Sequence, residues 1–183
     1  MASLKNMSRR ARIATGGAVL AAVAAGTLGT VSANASAPAA APAANVKSAT
    51  TTTSTHLTID AANKAAQAAL KAAEKENQKV SVAVVDRNGN TILTLRGDGA
   101  GPQSYESAEK KAYTAVSWNA PTSELAKRLE QAPNLKDIPG TLFLAGGAPV
   151  TAKNAPIAGI GVAGAPSGDQ DEKFAQAGVA ALR

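Results

Sequence analysis

The chain has 183 residues, 45% of them hydrophobic but only 3% aromatic, enough for one core built mainly from small aliphatic side chains. It has no cysteine, which excludes a disulfide framework, thiolate catalysis and zinc sites that need Cys ligands. The formal charge of +6 suggests nucleic acid, yet four of the 19 basic residues (Lys5, Arg9, Arg10, Arg12) precede the first apolar stretch. The other 15 face 13 acidic residues and form no basic stripe with aromatics, so no nucleic-acid partner is expected.

Those four basic residues are followed by an uncharged run from Ile13 to Val31 and by two small-x-small sites, Ala33-Asn34-Ala35 and Ala35-Ser36-Ala37. A charged n-region, an apolar h-region and a cleavage site in that order make residues 1–37 an export signal peptide. The expected protein is therefore secreted, or associated with the cell wall. Many of the apolar residues are Ala, Gly and Thr, which insert weakly into a bilayer and argue against a retained anchor. Ser8-Arg9-Arg10 fits the twin-arginine route, although Arg12 stands where that signal prefers an apolar residue. Both methionines, Met1 and Met7, leave with the signal, which suits work near peroxide or iron.

Residues 38–55 are Ala, Pro, Ser and Thr with nothing apolar enough to pack, the composition of a disordered linker. A single domain is expected over 56–183. Thr58 caps a helix on which Ile59, Ala62, Ala65, Ala66, Ala69, Leu70 and Ala73 recur at spacings of three and four. Val80, Val82 and Val84 alternate with Ser81 and Ala83, Asp86 to Asn90 supplies a turn, and Thr91 to Arg96 returns as the second strand of a hairpin. After the Gly/Pro loop 97–102, Ser104 caps a helix through Trp118, and Pro121-Thr122-Ser123 starts another with Leu125, Ala126 and Leu129. Leu142 to Ala145, a stretch around Pro149 and Val150, and Ile157 to Val162 read as three more strands, and Asp169 opens a closing helix to Leu182. Grouped strands and helices predict an α+β fold, a five-stranded antiparallel sheet covered by helices.

The chemistry on offer is sparse. His56 is the chain's single histidine and lies at the linker edge, a poor place to hold the base of a Ser-His-Asp triad, and no nucleophile elbow is present. Gly97-Asp98-Gly99-Ala100-Gly101 lacks the Lys-Ser/Thr of a P-loop and the third glycine of a dinucleotide motif, so it reads as a flexible connection. Glu106 and Glu109 stand at i, i+3, which puts both carboxylates on one helix face where they can share a hard cation such as ferric iron. The same spacing also describes solvated surface, with Lys110 and Lys111 close enough to neutralise it. Tyr113 and Trp118 read as core packing.

Val82 to Asn90 (Val-Ala-Val-Val-Asp-Arg-Asn-Gly-Asn), Lys110 to Ala115, Gly146-Gly147-Ala148-Pro149-Val150 and Ile160-Gly161-Val162-Ala163-Gly164 together resemble the secreted haem-binding proteins of the HbpS type, within the wider GlcG/HbpS group. The resemblance spans nearly all of His56 to Leu182. It implies a homo-oligomer, an octamer in the HbpS type, that binds haem b non-covalently and an iron ion. It further implies a weak axial haem ligand in the hydroxyl of Thr141, an iron-binding pair in Glu106 and Glu109, and His56 as a completing iron ligand. An oxygen ligand at the surface should hold haem loosely enough to release it, which fits scavenging, and proteins of this type report haem, iron or oxidative stress to a membrane sensor histidine kinase. A binding protein rather than an enzyme is expected. The alternatives are an accessory protein or enzyme of glycolate or diol metabolism, with Asp86, Asp98 and the Glu106/Glu109 pair as its acid/base candidates, and a purely structural cell-wall oligomer.

Overall fold

The structure, a computed structural model, describes residues 44–183. The signal peptide expected over 1–37 and the start of the linker lie outside the described residues. A 3-10 turn at Ser48–Thr50 and an exposed extended run lead to the domain. No helix among the described residues is long and apolar enough to cross a membrane.

Helix α1 (Ile59–Lys75) starts where Thr58 Oγ1 accepts the Ala61 N–H at 3.2 Å, and its Ala62, Ala65, Ala66, Ala69 and Ala73 are buried. Ile59, expected on that face, is 59% exposed because it occupies the first helical position, outside the helix-to-sheet contact. The hairpin β1 (Ser81–Asp86) and β2 (Thr91–Arg96) follows as expected. Its turn is tied by the Asp86 carboxylate, which accepts the N–H groups of Asn88 and Asn90 at 2.8 and 2.9 Å. Helix α2 (Pro102–Trp118) begins three residues earlier than expected, because Pro102 suits the first turn and the Ser104 hydroxyl instead donates to Gly101 O. Helix α3 (Thr122–Lys127) runs into 3-10 turns at Arg128–Glu130 and Pro133–Asp137. Strands β3 (Gly147–Ala152) and β4 (Ala155–Ala163) form a second hairpin, closed by Lys153 and Asn154 with φ of 49° and 62°, the left-handed pair that a two-residue turn requires. Helix α4 (Gly168–Ala180) is capped by Ser167, whose Oγ accepts the Gln170 N–H.

The sheet has four strands in the order β2-β1-β4-β3, all antiparallel, not the expected five. Leu142 to Ala145 is not a strand. Its Leu142 N–H goes to Thr114 Oγ1 on α2 at 2.8 Å, and the following Gly146 N–H goes to the Glu172 carboxylate at 3.3 Å, so side chains take the bonds that a neighbouring strand would have supplied. Phe143 is buried there and meets Trp118 edge-on, with ring centroids 5.2 Å apart.

Both faces of the sheet are covered. Val80, Val82, Val84, Ile160 and Val162 pack with the alanines of α1 and with Phe174 and Ala175 of α4, whereas Ala83 and Val85 pack on Ala108, Ala112 and Val116 of α2. On β4 the residues facing α2 include Gly159 and Gly161. A Cβ at either would run into a helix carbonyl, that of Ala112 or that of Ala108. Glycines on the strand and alanines on the helix therefore let α2 lie directly on the sheet, and this seating fixes where its outer face points.

Candidate functional site

Helix α2 carries Glu106, Glu109, Lys110 and Tyr113 at successive spacings of three, one and three, which on a helix is one face. Glu109, Lys110 and Tyr113 line an open groove of about 270 Å³, completed by Val85, Gly89 and Thr91 from the β1–β2 hairpin and by Gly140. Glu109 Oε1 accepts the Thr94 hydroxyl at 2.9 Å, which anchors the carboxylate against β2. Glu106 lies one turn outward, with 73% of its side chain exposed, 2.6 Å from Lys110 Nζ. The hydrogen bond and the charge of Lys110 hold its carboxyl below the usual range.

Thr141 follows the groove-lining Gly140 and is half-buried in a loop rather than a strand, with its hydroxyl donating to Ile138 O at 2.8 Å. The loop is held from below: Thr114 Oγ1 donates to Lys110 O at 2.7 Å and accepts Leu142 N–H, so the residue after Thr141 is pinned to the helix that carries the carboxylates.

His56 is placed elsewhere. Its Nδ1 lies 3.8 Å from Asp86 Oδ2 and its Nε2 2.6 Å from Ser54 Oγ. Among the described residues no three His, Asp or Glu side chains gather as a metal cluster, so one chain brings Glu106 and Glu109 to a common face without His56. Burial pushes the Asp86 carboxyl up, but hydrogen bonds from Asn90 and Asn88 and the nearby His56 outweigh it and leave the group below the usual range. Tied into its own turn, Asp86 is a structural anion and a poor proton shuttle.

Tyr113, expected in the core, packs on the cluster of Ala83, Val85, Ala108, Ala112 and Val116, and it also lines the groove. Its position four residues after Glu109 and seven after Glu106 was the available signal for the second role. Sequence reasoning missed an ion pair behind α2. Lys111 Nζ lies 2.8 Å from Asp171 Oδ2 of α4, donates to Val162 O at 3.1 Å, and both side chains are about 95% buried, at 6% and 5% exposure. Beside it the Glu172 carboxylate accepts Ser123 N–H at 2.9 Å, the Ser123 hydroxyl at 2.5 Å and Gly146 N–H, tying α3 and the loop after Thr141 to α4. These buried acids support the groove from behind and do not enter it.

A two-hairpin antiparallel sheet clad on both faces, with an open groove walled by oxygen donors along one helix, defines a small α+β ligand-binding domain. Residues 57–180 match the family model described as "Haem degrading protein HbpS-like", and the chain belongs to this HbpS-like family. Among solved structures it is similar to Streptomyces reticuli HbpS crystallised with two glutamate-to-aspartate substitutions three positions apart, at 75% identity and a TM-score of 0.77 over 80% of this chain and 99% of that one. It is equally similar to HbpS at 75% identity (TM-score 0.76, 76% of this chain, 99% of that one). A crystal structure of a PduOC:haem complex is 28% identical with a TM-score of 0.64, over 69% of this chain and 95% of that one. No curated protein matches the chain.

Proposed function

We propose that this protein is an extracellular haem- and iron-binding protein that scavenges haem b and reports haem or oxidative stress to a membrane sensor histidine kinase. The observation that carries the haem reading is the groove on α2, lined by the polar side chains of Glu109, Tyr113, Thr91 and Lys110, with no thiolate, thioether or imidazole among them and Thr141 next to its lining residue Gly140. Hard oxygen donors suit ferric iron, and a neutral hydroxyl such as that of Thr141 makes a weak axial ligand. The residues present therefore fit haem. At about 270 Å³ the groove is smaller than pockets that enclose drug-sized ligands. Membership of the HbpS-like family and the haem complex of PduOC support the same reading.

Glu106 and Glu109 are the pair proposed for the iron ion, Glu106 offering exposed oxygens and Glu109 a fixed one. The two substitutions in the HbpS variant have the same i, i+3 spacing. His56 stands apart from them in one chain, so its part in an iron site would need a second copy, consistent with the proposed octamer. A Soret titration of residues 38–183 with haemin tests the function: a saturable shifted band that Thr141→Ala weakens, while Glu106→Ala/Glu109→Ala loses iron but keeps haem, is expected. No saturable band removes the haem reading in favour of a metabolic accessory. The kinase partnership is tested by capture of the secreted, haem-loaded protein on membranes under reducing and oxidising conditions; no retained histidine kinase in either removes it.

A further inference from the structure

We propose that Lys110 is a displaceable counter-ion shared by the carboxylate pair and the groove: it neutralises Glu106 in the structure, and when iron takes the pair it turns to a carboxylate of haem. Iron and haem then bind cooperatively. The proposal rests on the haem and iron reading above and adds the residue that links the two sites.

Lys110 stands where both sites meet. Its Nζ lies 2.6 Å from Glu106 Oε1, one helical turn away, and its side chain also lines the groove. Among the described residues it is the only cation in the groove's lining, which holds one carboxylate, that of Glu109. Glu109 has no ion-pair partner of its own among the described residues and is held by the Thr94 hydroxyl instead, so one ammonium serves two carboxylates. The backbone of Lys110 is fixed: Thr114 Oγ1 donates to its carbonyl at 2.7 Å and accepts Leu142 N–H, beside Thr141. Its head is held less firmly, with the side chain 41% exposed and Glu106 as its ion-pair partner.

A trivalent cation on Glu106 and Glu109 repels the ammonium that shares Glu106 with it, since like charges that close interact strongly even near a surface. Ferric iron is a hard cation matched to carboxylate oxygen, so the ammonium is the group that leaves. Lysine suits this exchange, being a point charge on a flexible four-carbon stem whose exposed ion pair is worth little. Haem in the groove offers the released charge a new partner, because haem carries two propionate carboxylates and the lining presents no second cation. By reciprocity, each ligand then tightens the other by the same factor.

The test is binding by the purified wild type, Lys110→Met and Lys110→Arg, with haemin followed at the Soret band and ferric citrate by equilibrium dialysis. Met keeps most of the stem, Arg keeps the charge, and an unchanged thermal melt verifies each fold. In the wild type, saturating ferric citrate should tighten haemin binding about two- to fivefold, the range of an exposed ion pair. Lys110→Met should bind ferric citrate alone about two- to fivefold more tightly and lose most of the effect of iron on haemin, while Lys110→Arg retains wild-type behaviour. A merely structural role would not tighten iron binding. No coupling in the wild type, coupling undiminished in Lys110→Met, iron affinity that does not rise in that variant, or a Lys110→Arg protein that behaves like it overturns the proposal and leaves the haem and iron reading intact. A wild type that fails to bind haemin or ferric citrate overturns that part of the reading and the proposal with it.

Discussion

Replacing Lys111 with Met probes how the groove is held in place. Met keeps most of the aliphatic stem but removes the cation from a pair in which both side chains are almost wholly buried and the nitrogen and oxygen are 2.8 Å apart. Asp171 is left with the Ala165 N–H as a partner but no counter-charge. Breaking a buried pair from one side costs about 3–5 kcal/mol, a large part of the roughly 5–15 kcal/mol that stabilises a typical domain. For a domain of this size that is a fall in Tm of about 10–20 °C. The sign of the pH dependence follows from Asp171. Burial pushes its carboxyl up, with the hydrogen bond and charge of Lys111 pulling it back. A carboxyl raised in the folded state contributes stability that is present below its unfolded pKa, near about 4, and lost as pH rises through the folded value. Without Lys111 the upward push is larger, so the deficit should be small in acid and grow toward neutrality. Urea unfolding at pH 4.5 and 7.5, at one protein concentration because oligomerisation adds to stability, measures both. A deficit below about 1 kcal/mol at pH 7.5, or one equal at the two pH values, refutes the buried-charge argument. The double variant Lys111→Met/Asp171→Leu should recover most of the loss.

Gly161→Ala should drive a methyl into the Ala108 carbonyl, a backbone atom with nowhere to yield, costing about 1–3 kcal/mol or more and lifting α2 off the sheet, seen as lost near-UV signal from Trp118 and a lower midpoint. Glu172→Gln exchanges an acceptor-only carboxylate for an amide facing the Ser123 and Gly146 N–H groups and should cost about 1.5–3 kcal/mol in urea unfolding. Thr114→Val keeps the shape but strands the Leu142 N–H; a loss of about 1–3 kcal/mol and weaker haemin binding are expected, and unchanged binding would detach the Thr141 loop from the site.

The α1 face, the first hairpin and the capped start of α1 were legible because each rests on local signals: alanines every three or four residues, alternating valines, a threonine cap. The pairing of Glu106 with Glu109 on one face was legible for the same reason, since helical spacing alone sets it. A short apolar run also suggested a strand at Leu142 to Ala145, and failed there because the N–H groups of Leu142 and of the following Gly146 found Thr114 and Glu172, 28 and 26 residues distant in sequence. Tyr113 packs on the α2–β1 cluster, as expected for an aromatic on an Ala-rich helix. Only the fold brought Gly89 and Gly140, on either side of it in sequence, to its two ring edges and turned it into a wall of the groove. The Lys111–Asp171 pair spans 60 residues and joins helices on opposite faces of the sheet. Periodicity, capping and turn chemistry are properties of neighbours along the chain and can be read there. The groove, its supports and the exclusion of His56 from the carboxylate pair are properties of distant segments meeting, and tertiary packing alone decided them.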